Sequence, residues 1–73
     1  MALPEKVFEI IEGVFCEVSE FRGVKRIDIR KWYQDDNGEW QRTRKGISLE
    51  MADWDDFVAN IDDLDEFVKQ CIK

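Results

Sequence analysis

The chain has no histidine, one proline and two cysteines. Without imidazole, the commonest general base near neutral pH is missing. Ser19 and Ser48 lie in no nucleophile motif, Cys16 and Cys71 have no obvious partner, and there is no glycine-rich phosphate loop. Enzymatic chemistry is therefore not expected, and no cofactor is implied. The acidic clusters Asp53-x-Asp55-Asp56 and Asp62-Asp63-x-Asp65-Glu66 lack the glycine and the bidentate glutamate of a calcium loop. They read as a solvated helix face, not as a metal site. Two isolated thiols make no disulfide framework. No apolar run approaches the roughly 20 residues of a bilayer span. The opening Met-Ala-Leu-Pro-Glu-Lys lacks the basic-then-apolar pattern of a secretory signal. A reduced, cytoplasmic or nuclear setting is the expectation.

What is present is charge, and it is segregated. The chain is net −6, which at first argues against a polyanionic ligand. Residues 1–21 are net −4 and residues 46–73 net −6, whereas residues 22–45 carry eight cations against four acids, net +4. At physiological salt the Debye length is about 8 Å, so a ligand on the central block feels little of the distant acids. At 73 residues the chain is one small domain, residues 1–73. Lone domains of this size are marginally stable, so a dimer is a sensible expectation.

Period-two alternation marks strands and a later switch marks a helix. Val7 to Ser19 reads as one strand, bent or bulged at Gly13. Arg22-Gly23 signals a tight turn. A second strand runs from about Lys25 to Tyr33, with Ile27, Ile29, Lys25, Lys31 and Tyr33 on one face and Arg26, Asp28, Arg30 and Trp32 on the other. Asp35-Asp36-Asn37-Gly38 signals a hairpin, followed by a strand from Glu39 to Arg42 or Thr43. A two- or four-residue loop puts Trp40 and Arg42 on the face of Tyr33 and Lys31; a three-residue loop with a bulge reverses this. The first arrangement is favoured. Arg44-Lys45-Gly46 reads as a connection to a short strand, Ile47 to Leu49. From Met51, Trp54, Phe57, Val58 and Ile61 and then Leu64, Phe67, Val68 and Cys71 follow the 3.6-residue period. One helix kinked near Ile61, or two abutting segments with Asp62 as a cap and Asp65 and Glu66 in its first turn, is predicted.

The central block interleaves those cations with Phe21, Trp32, Tyr33 and Trp40. Such a strand surface suits unpaired nucleic acid, because cations take phosphates and rings stack on bases. The same rings could equally be core. Periodicity makes Phe15, Trp54, Phe57 and Phe67 the better core candidates and leaves Phe21, Trp32, Tyr33 and Trp40 as the wetter set. The candidate contacts are Phe21, Arg22, Lys25, Arg26, Arg30, Tyr33, Trp40, Arg42, Arg44 and Lys45. Trp54, Phe57, Ile61, Leu64 and Val68 form a near-heptad stripe that reads as core or subunit contact.

Several tracts in this order resemble the DNA-binding domain of the transcriptional coactivator positive cofactor 4 family. They are Phe21-Arg22-Gly23, Ile27-Asp28-Ile29-Arg30, the aromatic pair Trp32-Tyr33, Gly38-Glu39, the run from Arg44 to Leu49, and Trp54. The resemblance covers about residues 14 to 70. It implies an α+β fold, a curved four-stranded antiparallel sheet followed by a kinked C-terminal helix, assembled as a homodimer that binds single-stranded DNA. It implies contact positions at Phe21, Arg22, Arg30, Tyr33, Arg44 and Lys45. Val24 stands where the family often has lysine, the Trp32-Tyr33 order is reversed, Gln41-Arg42-Thr43 lacks a common Pro-Gly, and Glu50 replaces a better N-cap. The serine- and lysine-rich tail of eukaryotic members is absent, so the chain looks like a compact bacterial or phage-type member, nucleoid-associated if bacterial. The expected partners are single-stranded DNA, a second copy, and transcription or replication proteins. The alternative is a protein-interaction module that uses the acidic helix.

Overall fold

A computed structural model describes residues 6–72. The stretch read above for an export signal lies outside the described residues, apart from Lys6. Strands β1 (Val7–Ile11), β2 (Val14–Phe21), β3 (Val24–Gln34) and β4 (Trp40–Glu50) form one antiparallel sheet in sequence order. Helices α1 (Met51–Ala59) and α2 (Ile61–Cys71) follow. The fold is α+β, with the sheet and the broken helix that the periodicities predict.

Two boundaries differ from expectation. Gly13 does not bend one long strand. It closes a two-residue turn with Glu12, Ile11 pairs with Val14, and the segment from Val7 to Ser19 is therefore two strands. Gly13 has a φ of 80°, which a residue without Cβ adopts at little cost. Conversely, the expected third and fourth strands are one, β4, and Arg44-Lys45-Gly46 stays within it.

The β3–β4 loop also reverses the favoured register. The Gly38 N–H donates to the Asp35 carbonyl and the Asp35 N–H to the Glu39 carbonyl, both at 2.9 Å. Only Gly38 in this loop has a positive φ, 80°, so the Asn-Gly pair does not form a two-residue turn. It is a three-residue loop ending in a left-handed glycine bulge. Gln34 faces Trp40 and Trp32 faces Arg42. Trp40 and Arg42 therefore share the face of Trp32 and Arg30, not that of Tyr33 and Lys31.

Each sheet face holds its own small core. On one, Phe15 packs on Trp32 and Trp40, with ring centroids 5.1 and 5.0 Å apart. Phe15 is 1% exposed and Trp32 5%, so Trp32 belongs to the core and not to the wetter set. On the other face, Val18, Ile27 and Leu49 align across three strands. Helix α1 lies against β3 and β4, with Trp54 and Phe57 half-buried and their rings stacked at 6.0 Å. Phe67, expected in the core, is 62% exposed.

Asn60 alone separates the helices and closes one while opening the other. Its N–H donates to the Phe57 carbonyl at 3.2 Å, and its carbonyl accepts the Leu64 N–H at 2.9 Å. Its side-chain amide donates to the Asp56 carbonyl at 2.8 Å. Asp62 is therefore not the cap; with Asp63 it lies in the first turn of α2, where negative charge suits the helix dipole. Among the described elements helix α2 lies against α1 alone, and each of its residues is exposed.

Candidate nucleic-acid interface

The first group of candidate residues surrounds the β2–β3 turn. Phe21 pairs with Val24, and Arg22 and Gly23 form the turn with φ values of 53° and 79°. Positive φ at both positions matches the twist of the flanking strands. Arg22 carries a Cβ into this left-handed region, which costs roughly 1–2 kcal/mol. Its guanidinium lies over the Phe21 ring, 5.1 Å from the centroid. Phe21 is 71% exposed. Strand alternation puts Phe21 and Arg26 on one face and Lys25 on the other. Arg26 is paired with Glu50 at 3.4 Å.

The second group is a bulge in β4. Arg30 faces Gly46 and Trp32 faces Arg42, so Thr43, Arg44 and Lys45 stand against Lys31 alone. The surplus is fastened locally. The Thr43 hydroxyl donates to the Lys31 carbonyl at 2.7 Å and accepts the Lys45 N–H at 3.1 Å. The Thr43 carbonyl accepts from Arg30 at 2.8 Å. Gly46 lets β4 return to register: a Cβ there would overlap Arg30 and lie 2.5 Å from the Ile29 carbonyl oxygen. Arg44 and Lys45, both exposed, are thereby thrown out of the strand at a fixed place.

The third group lies at the opposite end of β3. Tyr33 is 54% exposed, on the face of Lys31. Trp40 is half-buried, edge-on to Phe15. Arg30 and Arg42 are already engaged. Arg30 clasps the Asp28 carboxylate through Nε and Nη2 at 2.5 and 2.9 Å. Arg42 clasps Glu17 in the same way at 2.8 and 2.6 Å, with its guanidinium 4.5 Å from the Trp32 ring centroid. These hydrogen bonds, to Asp28 and to Glu17 respectively, raise both guanidinium pKa values further above their ordinary range. Beneath the loop, the Asp35 carboxylate accepts from the Glu39 and Asn37 N–H groups and from the Gln41 amide. Chiefly the Glu39 N–H, then Gln41, hold its pKa below the ordinary carboxylate value. Burial, with Asp28 nearby, raises the Cys16 thiol, which keeps it in the unreactive protonated form.

The ten candidates do not form one patch within a protomer. Phe21 and Tyr33 lie near opposite ends of β3, about 30 Å apart at strand rise, and on opposite faces. Of the eight cations in the band, Arg26, Arg30 and Arg42 have carboxylate partners. Arg22, Lys25, Lys31, Arg44 and Lys45 have no ion pair among the described residues. Lys31 is absent from the candidate list, although strand alternation alone puts it beside Tyr33. Thr43 and Gly46 were passed over as well; an uncharged pin and an overlap across strands leave no mark in local composition.

Among the described residues, a strand meander runs into a broken amphipathic helix and carries cations outside any ion pair and open rings. Residues 8–60 match the family model described as Transcriptional Coactivator p15 (PC4). The chain belongs to this PC4 family, a class of transcription-related, DNA-binding coactivators. A Caenorhabditis elegans protein named "Putative RNA polymerase II transcriptional coactivator" is 40% identical over 60 residues, which cover 81% of this chain and 45% of that protein. The chain thus spans about half the length of this relative.

Proposed function

We propose that the chain binds single-stranded DNA as a homodimer, with little base preference, in transcription regulation or DNA maintenance. The observation that carries the reading is the β4 bulge. Thr43, Arg30 and Gly46 fasten the bulge that exposes Arg44 and Lys45, and neither cation has an ion pair among the described residues. A hydrogen-bonded bulge that displays two cations fits an anionic ligand, and phosphate is a matching anion. With Arg22, Lys25 and Lys31 they make five cations of the band without an ion pair among the described residues, and the exposed Phe21 and Tyr33 rings supply stacking surfaces.

What one protomer leaves open supports the dimer. Ile61, Leu64 and Val68 are 41, 47 and 43% exposed along α2, and Phe8 and Ile11 are 69 and 65% exposed on the sheet. An isolated helix shorter than about 12–15 residues is marginal in water, so α2 needs a partner surface. The accessible area, 6228 Å², exceeds the roughly 4,700 Å² expected of a compact monomer of this mass. Trp54 and Phe57 then act mainly within the protomer, and Ile61, Leu64 and Val68 across the dimer axis. A second reading, docking of the acidic helical surface on a basic transcription partner, fits the exposed Asp53, Asp55, Asp56, Asp62 and Asp63.

Titration of labelled oligo-dT at two salt concentrations tests the first reading. Five phosphate contacts predict a log–log salt slope of roughly −3 to −4. Lys45→Ala flattens it by about 0.7 and weakens all sequences alike. Tyr33→Ala costs about 1–3 kcal/mol of affinity with little loss of stability. No binding to oligo-dT at either salt, or equal affinity for duplex, leaves the protein-docking reading in its place.

A further inference from the structure

Two of the eight cations in the basic band hold carboxylates with the two-point geometry they would use for a phosphate. The Arg42 pair is the more telling. Its central carbon lies over the Trp32 ring, 4.5 Å from the centroid, and Trp32 is buried against Phe15. The fork is thereby orientated before any ligand arrives. Glu17 fills that fork through both oxygens at 2.8 and 2.6 Å, reaching across from β2. The Arg42 side chain is 53% exposed and the Glu17 side chain 24%, so an incoming anion reaches the pair from the arginine side.

We infer that Glu17 is an internal competitor for phosphate: it occupies the Arg42 fork in the free protein and is displaced when a strand binds, setting affinity below what the bare cation would give. The inference rests on the single-strand reading above. Arg42 stays on the indole in both states and exchanges one anion for another. The exchange also changes the ion bookkeeping. A phosphate that replaces Glu17 leaves a carboxylate to collect its own counterion, so Arg42 contributes almost nothing to the salt dependence of the wild-type chain.

Glu17→Gln keeps the shape and removes the charge. It is expected to tighten oligo-dT binding on the order of fivefold, the upper end of what an exposed carboxylate–guanidinium pair is worth. The salt slope is expected to steepen by about 0.7 as Arg42 becomes a counterion-releasing contact. Glu17→Asp, which keeps the charge but shortens the reach, gives a smaller gain in the same direction. Glu20→Gln removes the same charge from the opposite face of β2 and is expected to change affinity much less. In an Arg42→Ala background, Glu17→Gln gives no gain. Wild-type affinity in Glu17→Gln, an equal gain in Glu20→Gln, or a gain that survives Arg42→Ala overturns the inference while the single-strand reading stands. Absence of oligo-dT binding by the wild-type chain overturns both.

Discussion

Arg22 shows a side chain placed at a cost. It occupies the left-handed region, where asparagine or glycine is at ease, and it projects a cation over Phe21 at the tip of a hairpin. Strain of this kind persists where the residue does something other than stabilise the fold. Arg22→Asn is expected to raise stability by roughly 0.5–1 kcal/mol, because asparagine tolerates positive φ. The same variant is expected to weaken oligo-dT binding. Thermal denaturation beside a binding titration measures both; a fall in melting temperature would show that the Phe21 contact outweighs the strain. The neighbouring pair Trp32 and Tyr33 is decided by pleat alone. One is 5% exposed and the other 54%. Alternation in the sequence separates them onto two faces, but which face is buried depends on Phe15, a residue two strands' worth of chain away.

The β3–β4 hairpin is held by one carboxylate. Asp35 accepts hydrogen bonds from the N–H groups of Asn37 and Glu39 and from Gln41, and these depress its pKa below the ordinary 3.8. A depressed folded value means that its contribution is complete above the ordinary carboxylate range and is lost as pH falls through the lower folded value. Loss of the Glu39 and Gln41 amide protection is expected in the same acid window as Asp35 protonation. An NMR titration follows both, and an Asp35 carboxyl that titrates at or above its ordinary value would remove its assigned role. Gly46→Ala is expected to cost about 1–3 kcal/mol, since the added methyl collides with β3. Denaturant melts of the two proteins measure that difference. At this scale the sequence showed strand and helix types and the broken helix near Ile61. It misplaced what lies between them. Gly13 in an apolar alternation carries the same local signal whether it bends a strand or closes a turn. Asn-Gly favours a two-residue turn, and only the Asp35 network selects the longer loop. Arg44-Lys45-Gly46 looks like a connection because a bulge held by Thr43 has the composition of a loop.

One copy of the chain is more open than a compact domain of its length. Its Cα radius of gyration is 14.5 Å, against about 11 Å for a compact chain of this length. Ile61→Asp puts a charge on the open stripe of α2 and is expected to halve the mass in solution by sedimentation or light scattering. In the proposed dimer the folding of α2 is tied to pairing, so the wild-type melting temperature is expected to rise with concentration and that of the variant is not. An unchanged mass would refute the helical seam. The stripe was legible from its spacing, but spacing cannot say whether a chain's own sheet or a second copy covers it.

The swelling in β4 has one more consequence. Beyond its neighbour β3, β4 is a free flank of the sheet, eleven residues long. A flat flank of that length invites stray chains to add themselves and grow fibrils. Three residues set against one, two of them like-charged, interrupt the repeat midway and leave no straight run for an intruder to copy. The feature that displays Arg44 and Lys45 thus also makes the β4 edge a poor template for a further strand.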